Sequence, residues 1–151
     1  MTVKSNKKYK NEFSPEQRMW INALQSGKYK KATGMLIKLT KTDKPKGYCC
    51  LGVYCAITNV KLRIVQRSSE NNKGFFGGQD TELTIIQMRK LKLRGQLGDF
   101  DGTINFNVNR VKKEIDSLAN LNDITHMSIA QIGKWIEKNP HKVFKNFTDG
   151  K

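Results

Sequence analysis

The sequence is poor in the residues that build disulfide frameworks and metal centres. Its 151 residues include three cysteines and two histidines, and all three cysteines lie within residues 48–55, YCCLGVYC. An odd number of cysteines, two of them adjacent, is a poor basis for disulfides. Structural zinc sites favour cysteines about two to four residues apart, whereas the spacing here is CC-x4-C and His126 and His141 are remote. We therefore expect no metal and no cofactor, and we expect the cysteines to pack in a core.

Long apolar runs are also absent. No run approaches the roughly 20 apolar residues that cross a bilayer, and the N-terminal stretch MTVKSNKKYK lacks the apolar segment of a signal peptide. We therefore expect a cytosolic protein with no membrane partner. Hydrophobic residues still make up 37% of the chain. A chain of this length is sufficient to bury the core of one domain.

Acidic residues are scarce, with 13 Asp and Glu against 28 Lys and Arg, a net charge of +15. Residues 1–50 carry 12 basic and 3 acidic side chains, residues 51–100 carry 8 and 4, and residues 101–151 carry 8 and 6. Such a charge excess attracts polyanions through counterion release. Lysine outnumbers arginine 22 to 6, which favours contact with phosphates over reading of bases. An AT-rich genome produces the same bias without a binding function, so composition alone leaves both interpretations open.

The pattern along the chain predicts a basic flexible arm over residues 1–12, a single globular domain over 13–147 and a C-terminal tail over 148–151. Ser14, Pro15 and Gln17 predict a helix that starts with a capping box, and Gly27 predicts its end. Residues 35–39 and 60–65 are typical of short strands. Residues 40–46 and 68–79 are predicted loops, and residues 50–57 fit a helix or a strand equally well.

The second half of the chain is predicted to be mainly helical. Apolar residues at helical spacing indicate helices over 81–93 and 108–121, and a short strand is predicted over 103–107. Asp123 or Thr125 is the expected cap of a last helix, whose core stripe is formed by Ile129, Ile132 and Ile136. The predicted fold class is therefore α+β, a single compact domain that is helix-dominated with a few short strands.

Four short segments occur in a recognisable order: WINALQSGKY at 20–29, YCCLGV at 48–53, LANLND at 118–123 and IAQIGKWIE at 129–137. In this order they resemble a group of tailed-bacteriophage proteins that read W-x-x-AL-x-SG-x-Y, YCCLGV, L-x-x-LND and I-A-x-x-I-E. The resemblance spans most of residues 18–144. It implies a phage accessory protein that acts in the host cytoplasm, and it implies no particular reaction. Gly133, where the group often has alanine, is one departure from the pattern.

Charge and resemblance together favour a non-enzymatic phage protein that binds a polyanionic partner, nucleic acid or a host ribonucleoprotein, and counters host defence. The residues expected to contact the polyanion are Lys4, Lys7, Lys8, Lys10, Lys28, Lys30, Lys31, Lys44, Lys46, Arg89, Lys90, Lys92 and Arg94. Phe75 and Phe76 are candidates for stacking on a base. The motif residues expected to be structural are Trp20, Cys49, Cys50, Gly52, Asn122 and Asp123.

Other functions are compatible with the same residues. The partner could instead be an acidic host protein, or a small signalling nucleotide held in a cleft of lysines and aromatic rings. A cysteine-dependent enzyme would use Cys49 or Cys50 as the nucleophile and His126 as the base, oriented by Asn122 or Asp123. Packing of the thiols and helix capping by the Asn-Asp pair explain these residues equally well.

Overall fold

The computed structural model describes residues 11–67 and 71–148. These residues form one α+β domain, 35% helical and 27% strand. The elements in chain order are α1 (Pro15–Gln25), β1 (Ile37–Leu39), β2 (Pro45–Tyr48), α2 (Cys50–Ile57), β3 (Leu62–Val65), β4 (Lys73–Phe76), α3 (Ile85–Leu91), β5 (Asp99–Val108), β6 (Val111–Ser117), α4 (Leu118–Ile124), α5 (Ile129–Lys138) and α6 (Pro140–Val143). Within the described ranges, no helix combines the length and the apolar character of a membrane span. The predicted contacts Lys4, Lys7, Lys8 and Lys10 lie outside the described residues.

The strands pair as three antiparallel hairpins, β1 with β2, β3 with β4 and β5 with β6. Ile37 lies opposite Tyr48 in the first hairpin, and Ile104 lies opposite Ile115 in the third. Asn109 and Arg110 connect β5 to β6 in left-handed conformations, with φ of 53° and 67°. Two consecutive left-handed residues form the tight turn whose twist matches that of the flanking strands.

The centre of the core is formed by α1, α2 and α5. Trp20 and Leu24 on α1 and Ile132 on α5 are fully buried. The indole N–H of Trp20 donates to the carbonyl of Cys50 at 2.9 Å, which joins α1 to the first turn of α2. A Cβ at Gly133 would lie 2.8 Å from the Cβ of Leu24. The glycine therefore allows α5 to approach α1 more closely than alanine would.

Several predicted elements are confirmed. In α1, the Ser14 hydroxyl accepts the backbone N–H of Gln17 at 3.2 Å, and the side-chain Oε1 of Gln17 accepts the backbone N–H of Ser14 at 2.9 Å, which completes the capping box. The predicted strands over 35–39 and 60–65 contain β1 and β3. Residues 50–57, which fitted a helix or a strand, form helix α2. The apolar stripe of α5 is buried.

Other predicted elements are wrong. Residues 108–121 do not form one helix: they contain the end of β5, a turn, strand β6 and the first four residues of the short helix α4, whose N-cap is Ser117. The left-handed turn at Asn109 interrupts any helix there, and strand pairing satisfies the backbone instead. Ser128, instead of Asp123 or Thr125, caps α5, and its hydroxyl accepts the N–H of Gln131 at 3.1 Å. The predicted loops over 68–79 and 40–46 contain β4 and the start of β2.

The first and last described residues are hydrogen-bonded to each other. The N–H of Thr148 donates to the side-chain oxygen of Asn11 at 2.8 Å, and the N–H of Asn11 donates to the carbonyl of Asn146 at 2.6 Å. Asn11 belongs to the predicted arm and Thr148 to the predicted tail. The ends of the described chain are therefore held together by these hydrogen bonds.

Candidate functional site

The motif residues meet at the start of α2, where they join separate segments of the chain. Asn122 is fully buried, its Oδ1 accepts the N–H of Cys50 at 3.0 Å, and its Nδ2 donates to the carbonyl of Ala32 at 2.8 Å. The adjacent Asp123 accepts the N–H of Gly34 at 3.0 Å. Buried polar groups persist when their hydrogen-bonding capacity is satisfied. Asn122 and Asp123 are therefore structural bridges between α4, α2 and residues 32–34.

Gly52 allows the chain before β1 to cross the first turn of α2. A Cβ on Gly52 would lie 1.8 Å from the carbonyl oxygen of Leu36. The N–H of Cys49 donates to the same carbonyl at 3.2 Å. Only a residue without a side chain fits so close an approach of two backbones.

The three cysteine thiols are free and buried in the core. The Cys49 sulfur accepts the N–H of Gly52 at 3.3 Å, and the Cys50 thiol donates to the carbonyl of Leu118 at 3.7 Å. Burial raises the pKa of Cys49 to about 12 and that of Cys55 to about 11, and it raises the pKa of Cys50 well above its usual range. The thiols are therefore protonated at neutral pH, and a thiol attacks electrophiles far less readily than a thiolate.

The groups that a cysteine enzyme would recruit make other contacts. His126 is exposed, and its Nε2 lies 3.3 Å from the side-chain oxygen of Asn109 at the turn between β5 and β6. Asn122 is committed to the backbone of Cys50 and Ala32. In the described part of the chain, no group of three or more His, Cys, Asp or Glu side chains is placed to hold a metal ion.

An open cleft of about 530 Å³ lies between residues 28–30 and β2, and we call it the lysine–tyrosine cleft. Its lining consists of Lys28, Tyr29, Lys30, Thr40, Pro45, Lys46, Gly47 and Tyr48. The three lysines are exposed, whereas the two tyrosines are half-buried. Because none of these lining residues is acidic, the cleft presents three ammonium groups beside two aromatic rings.

Backbone pairing brings the two walls of this cleft together. The N–H of Tyr48 donates to the carbonyl of Lys30, and the N–H of Ala32 donates to the carbonyl of Tyr48, each at 2.8 Å. A Cβ on Gly47 would lie 3.1 Å from the carbonyl oxygen of Lys31. The close approach therefore favours glycine at this point. Ala32 is also the residue whose carbonyl accepts Asn122, so the buried motif cluster supports one wall of the cleft.

The tyrosine rings of the cleft are in edge-to-face contact, with centroids 5.4 Å apart and an interplanar angle of 83°. Burial, with a smaller effect of Tyr29, raises the pKa of Tyr48. Its hydroxyl is therefore neutral at physiological pH and does not offset the lysines. Among the described lining residues, the positive charge comes from Lys28, Lys30 and Lys46.

A family model described as a domain of unknown function, DUF8296, matches residues 15–140 of this 151-residue chain. The chain belongs to the DUF8296 family. No curated protein and no solved structure matches it. The DUF8296 match begins at the first residue of α1 and ends at the first residue of α6. It contains the whole buried motif cluster and every residue that lines the lysine–tyrosine cleft.

Lys31 and Lys44, two of the lysines predicted as contacts of the polyanion, lie near the lysine–tyrosine cleft in sequence but do not line it. The Nζ of Lys31 donates to the carbonyl of Thr125 at 2.9 Å, and burial lowers the pKa of this lysine. The Lys31 side chain therefore joins the segment before β1 to Thr125, which follows α4. Lys44 is exposed in the turn between β1 and β2, where its carbonyl accepts the N–H of Thr40 at 2.8 Å.

The other predicted basic cluster of this DUF8296 chain lies at the end of α3. Arg89 and Lys90 are exposed in its last turn, and Lys92 ends the helix with a left-handed φ of 59°. The Arg94 guanidinium donates to the carbonyls of Lys142 and His141 at 3.1 and 3.2 Å. Arg94 therefore holds α6, whereas Arg89 and Lys90 are accessible to a partner.

The predicted stacking pair is divided between core and surface. Phe76 is 4% exposed and packs in the core, so its faces are not accessible to a base. Phe75 is half-buried, with the Arg63 guanidinium 5.7 Å and the Lys73 ammonium 5.9 Å from its ring centre. Of the predicted pair, Phe75 alone therefore remains a candidate for stacking on a base, and two cations already lie near its ring.

Tyr29 and Tyr48 are the site residues that sequence reasoning missed. Tyr29 stands between Lys28 and Lys30, and Tyr48 follows Lys46 by two residues. This interleaving of basic and aromatic residues is visible in the sequence. The pairing that places the two segments on one cleft is a long-range contact, and the sequence carries no local signal for it.

Proposed function

We propose that this DUF8296 chain is a phage-encoded, non-enzymatic accessory protein that binds a polyanionic partner, a nucleic acid or a host ribonucleoprotein, in the host cytoplasm and so counters host defence. The lysine–tyrosine cleft is the observation that carries the proposal, because Lys28, Lys30 and Lys46 line one concave surface and none of its described lining residues is acidic. The ordered motifs of the sequence support the phage origin. The buried, protonated thiols support a role without cysteine catalysis.

The wider charge distribution supports the same site. The cleft lies within residues 1–50, which carry 12 basic and 3 acidic side chains. Excess charge of one sign raises the local concentration of an oppositely charged partner and its association rate. Lysine contributes a point charge that suits phosphate groups without selecting a base sequence. The proposed binding is therefore directed at the backbone of the polyanion.

Fluorescence anisotropy with labelled oligonucleotides at about 50 and 200 mM salt tests this proposal. If the three cleft lysines neutralise three phosphates, the affinity falls about 20- to 40-fold over that range, because each phosphate contact contributes a slope of about −0.7 to −0.9 in log-log units. Simultaneous Lys28→Glu, Lys30→Glu and Lys46→Glu substitutions should abolish the binding. All three side chains are exposed, so we expect the thermal midpoint to change little.

The matched control carries Lys61→Glu, Lys134→Glu and Lys145→Glu, the same charge change at exposed lysines that do not line the cleft. We expect this control to bind only slightly more weakly than the unmodified protein, through its lower net charge. Equal loss in both triple variants would show that net charge, and not the cleft, drives binding. Absence of binding at the lower salt concentration would overturn the proposal.

A second candidate function, inhibition of an acidic host protein, is favoured by the outer face of α3. Ile85 and Ile86 are 50% and 67% exposed. Arg89 and Lys90 follow them at a spacing of four residues, which places each cation beside one isoleucine. An apolar pair flanked by cations suits an acidic protein surface with an apolar centre better than it suits phosphates.

Affinity capture from a host lysate tests this second candidate. An acidic protein retained by the unmodified chain should be lost with the double variant Ile85→Ser and Ile86→Ser, while oligonucleotide binding is unchanged. Ile64→Ser is the control, since Ile64 is 37% exposed on β3. If the double variant captures the same protein as the unmodified chain, the outer face of α3 is not the binding surface for that protein.

A further inference from the structure

Two aromatic rings lie among the lysines of the cleft, and each keeps a face that the other does not cover. Tyr29 and Tyr48 meet edge to face at 83°. In that arrangement the edge of one ring covers a single face of the other ring. Both side chains are half-buried, so they are held in place and remain partly accessible. A ring that is already fixed loses little conformational entropy when a planar group stacks on it.

Both walls of the cleft carry cations together with an aromatic ring. One wall reads Lys28-Tyr29-Lys30 and the other reads Lys46-Gly47-Tyr48. A single nucleic-acid strand offers a phosphate and an unpaired base in every unit, so it can satisfy both kinds of side chain. The bases of a duplex are stacked on one another and offer no free face to a tyrosine. A duplex would therefore engage the lysines alone.

The size of the cleft suits a short unit of such a strand. Its volume of about 530 Å³ lies within the range of about 300–1,000 Å³ that holds small organic ligands. Lys38, Lys41 and Lys44 are also exposed, on β1 and in the turn that follows it. These lysines lie within four residues of Thr40, which lines the cleft, and the same turn carries the exposed Asp43.

From these observations we infer that the lysine–tyrosine cleft binds single-stranded nucleic acid, with bases stacked on Tyr29 and Tyr48 and phosphates held by Lys28, Lys30 and Lys46. The inference rests on the proposed function and names its substrate class. A free nucleotide has the same chemistry, an unpaired base joined to phosphate. The strand is favoured because three further exposed lysines, Lys38, Lys41 and Lys44, lie within four residues of Thr40 in the cleft lining.

The test compares binding of three probes of equal length: an oligo-dT strand, an abasic strand with the same number of phosphates, and a duplex. Since base–aromatic stacking is worth a factor of about ten per base, the protein should bind oligo-dT at least about tenfold more tightly than the abasic strand. The double variant Tyr29→Leu and Tyr48→Leu should lose this preference and keep its affinity for the abasic strand. The double variant Tyr29→Phe and Tyr48→Phe keeps both rings and should keep the preference.

The outcomes separate this inference from the proposed function. Equal affinity of the unmodified protein for oligo-dT and the abasic strand would overturn the inference that bases stack on the tyrosines. It would leave the proposed binding of phosphates unaffected. Failure to bind any of the three probes would overturn the proposed function itself. If thymidine monophosphate competes with labelled oligo-dT as strongly as the unlabelled strand does, the ligand of the cleft is a free nucleotide, and the assignment of a strand is overturned. The comparison of oligo-dT with the abasic strand uses the unmodified protein, so it remains decisive if a leucine variant fails to fold.

Discussion

Asn122 accepts the backbone N–H of Cys50 at 3.0 Å, across 72 residues of sequence. The same side-chain amide donates to the carbonyl of Ala32, and the N–H of Ala32 donates to the carbonyl of Tyr48 in the cleft. A continuous chain of hydrogen bonds thus connects the buried motif to the surface site. The motif residues stabilise the scaffold that supports one wall of the lysine–tyrosine cleft.

Substitution of Asn122 by alanine should lower the free energy of unfolding by about 2–4 kcal/mol, because it leaves two buried backbone groups, at Cys50 and Ala32, without their partner. Urea unfolding followed by circular dichroism measures the change. Asn105→Ala, at an exposed position of β5, is the control and should stay within about 0.5 kcal/mol of the unmodified protein. Similar stability of the two variants would contradict a bridging role for Asn122.

Gly52→Ala should lower stability by about 3 kcal/mol or more, since the new Cβ would lie 1.8 Å from the carbonyl oxygen of Leu36 and one backbone must move. Thermal unfolding measures this effect. Gly27→Ala is the comparison, because Gly27 has a φ of 80° and open space around it. Its expected cost is about 1–2 kcal/mol, from the left-handed backbone alone. A Gly52 variant as stable as the Gly27 variant would show that the contact relaxes readily.

The cysteines should not react with a disulfide-forming thiol reagent in the native protein. All three are buried, and burial raises the pKa of each thiol, that of Cys49 to about 12. A colorimetric titration at about pH 8 should therefore detect almost no thiol until denaturant is added, after which all three react. Rapid reaction of one thiol in the folded protein would contradict the buried placement and would favour the cysteine-enzyme alternative.

The raised thiol pKa values should make the fold less stable in alkali. Unfolded cysteines ionise near their ordinary pKa of 9.0, whereas burial raises the pKa of Cys49 to about 12 and that of Cys55 to about 11. Above pH 9 the unfolded chain then binds fewer protons than the folded chain. The free energy of unfolding should therefore be unaffected below that pH and fall above it, by up to about 1.4 kcal/mol per pH unit for each thiol.

Urea unfolding between about pH 7 and 10 measures this dependence. The double variant Cys49→Ala and Cys55→Ala should show a shallower decline above pH 9. Burial lowers the pKa of Lys31, which favours the folded state in the same alkaline range. Lys31 is present in both proteins, so its contribution cancels in the comparison. Identical pH dependence in both proteins would show that the thiols do not control alkaline stability.

Local signals made much of the fold predictable. The capping box of Ser14 and Gln17 located α1, and the same chemistry recurs at Thr84 with Gln87 and at Ser128 with Gln131. These last two boxes are readable in the sequence, as Thr or Ser followed by Gln at the third position. They would have placed the starts of α3 and α5 correctly.

Longer-range features were not predictable in the same way. Val111, Ile115 and Leu118 recur at helical spacing, yet the turn at Asn109 and Arg110 pairs β6 with β5. Strand pairing overrides a local period when cross-strand contacts satisfy the backbone. The cleft has the same origin, since Tyr29 and Tyr48 become neighbours only when residues 28–30 lie beside β2.

Cross-linking shows most directly where a nucleic acid contacts this protein. A short single strand that carries 5-iodouracil would be irradiated with the full chain at low salt, and the modified peptides would be identified by mass spectrometry. We predict adducts on Tyr29 or Tyr48, which are lost when Lys28, Lys30 and Lys46 are replaced by glutamate. Adducts confined to Phe75 or to the α3 region, or the absence of any adduct, would contradict binding in the lysine–tyrosine cleft.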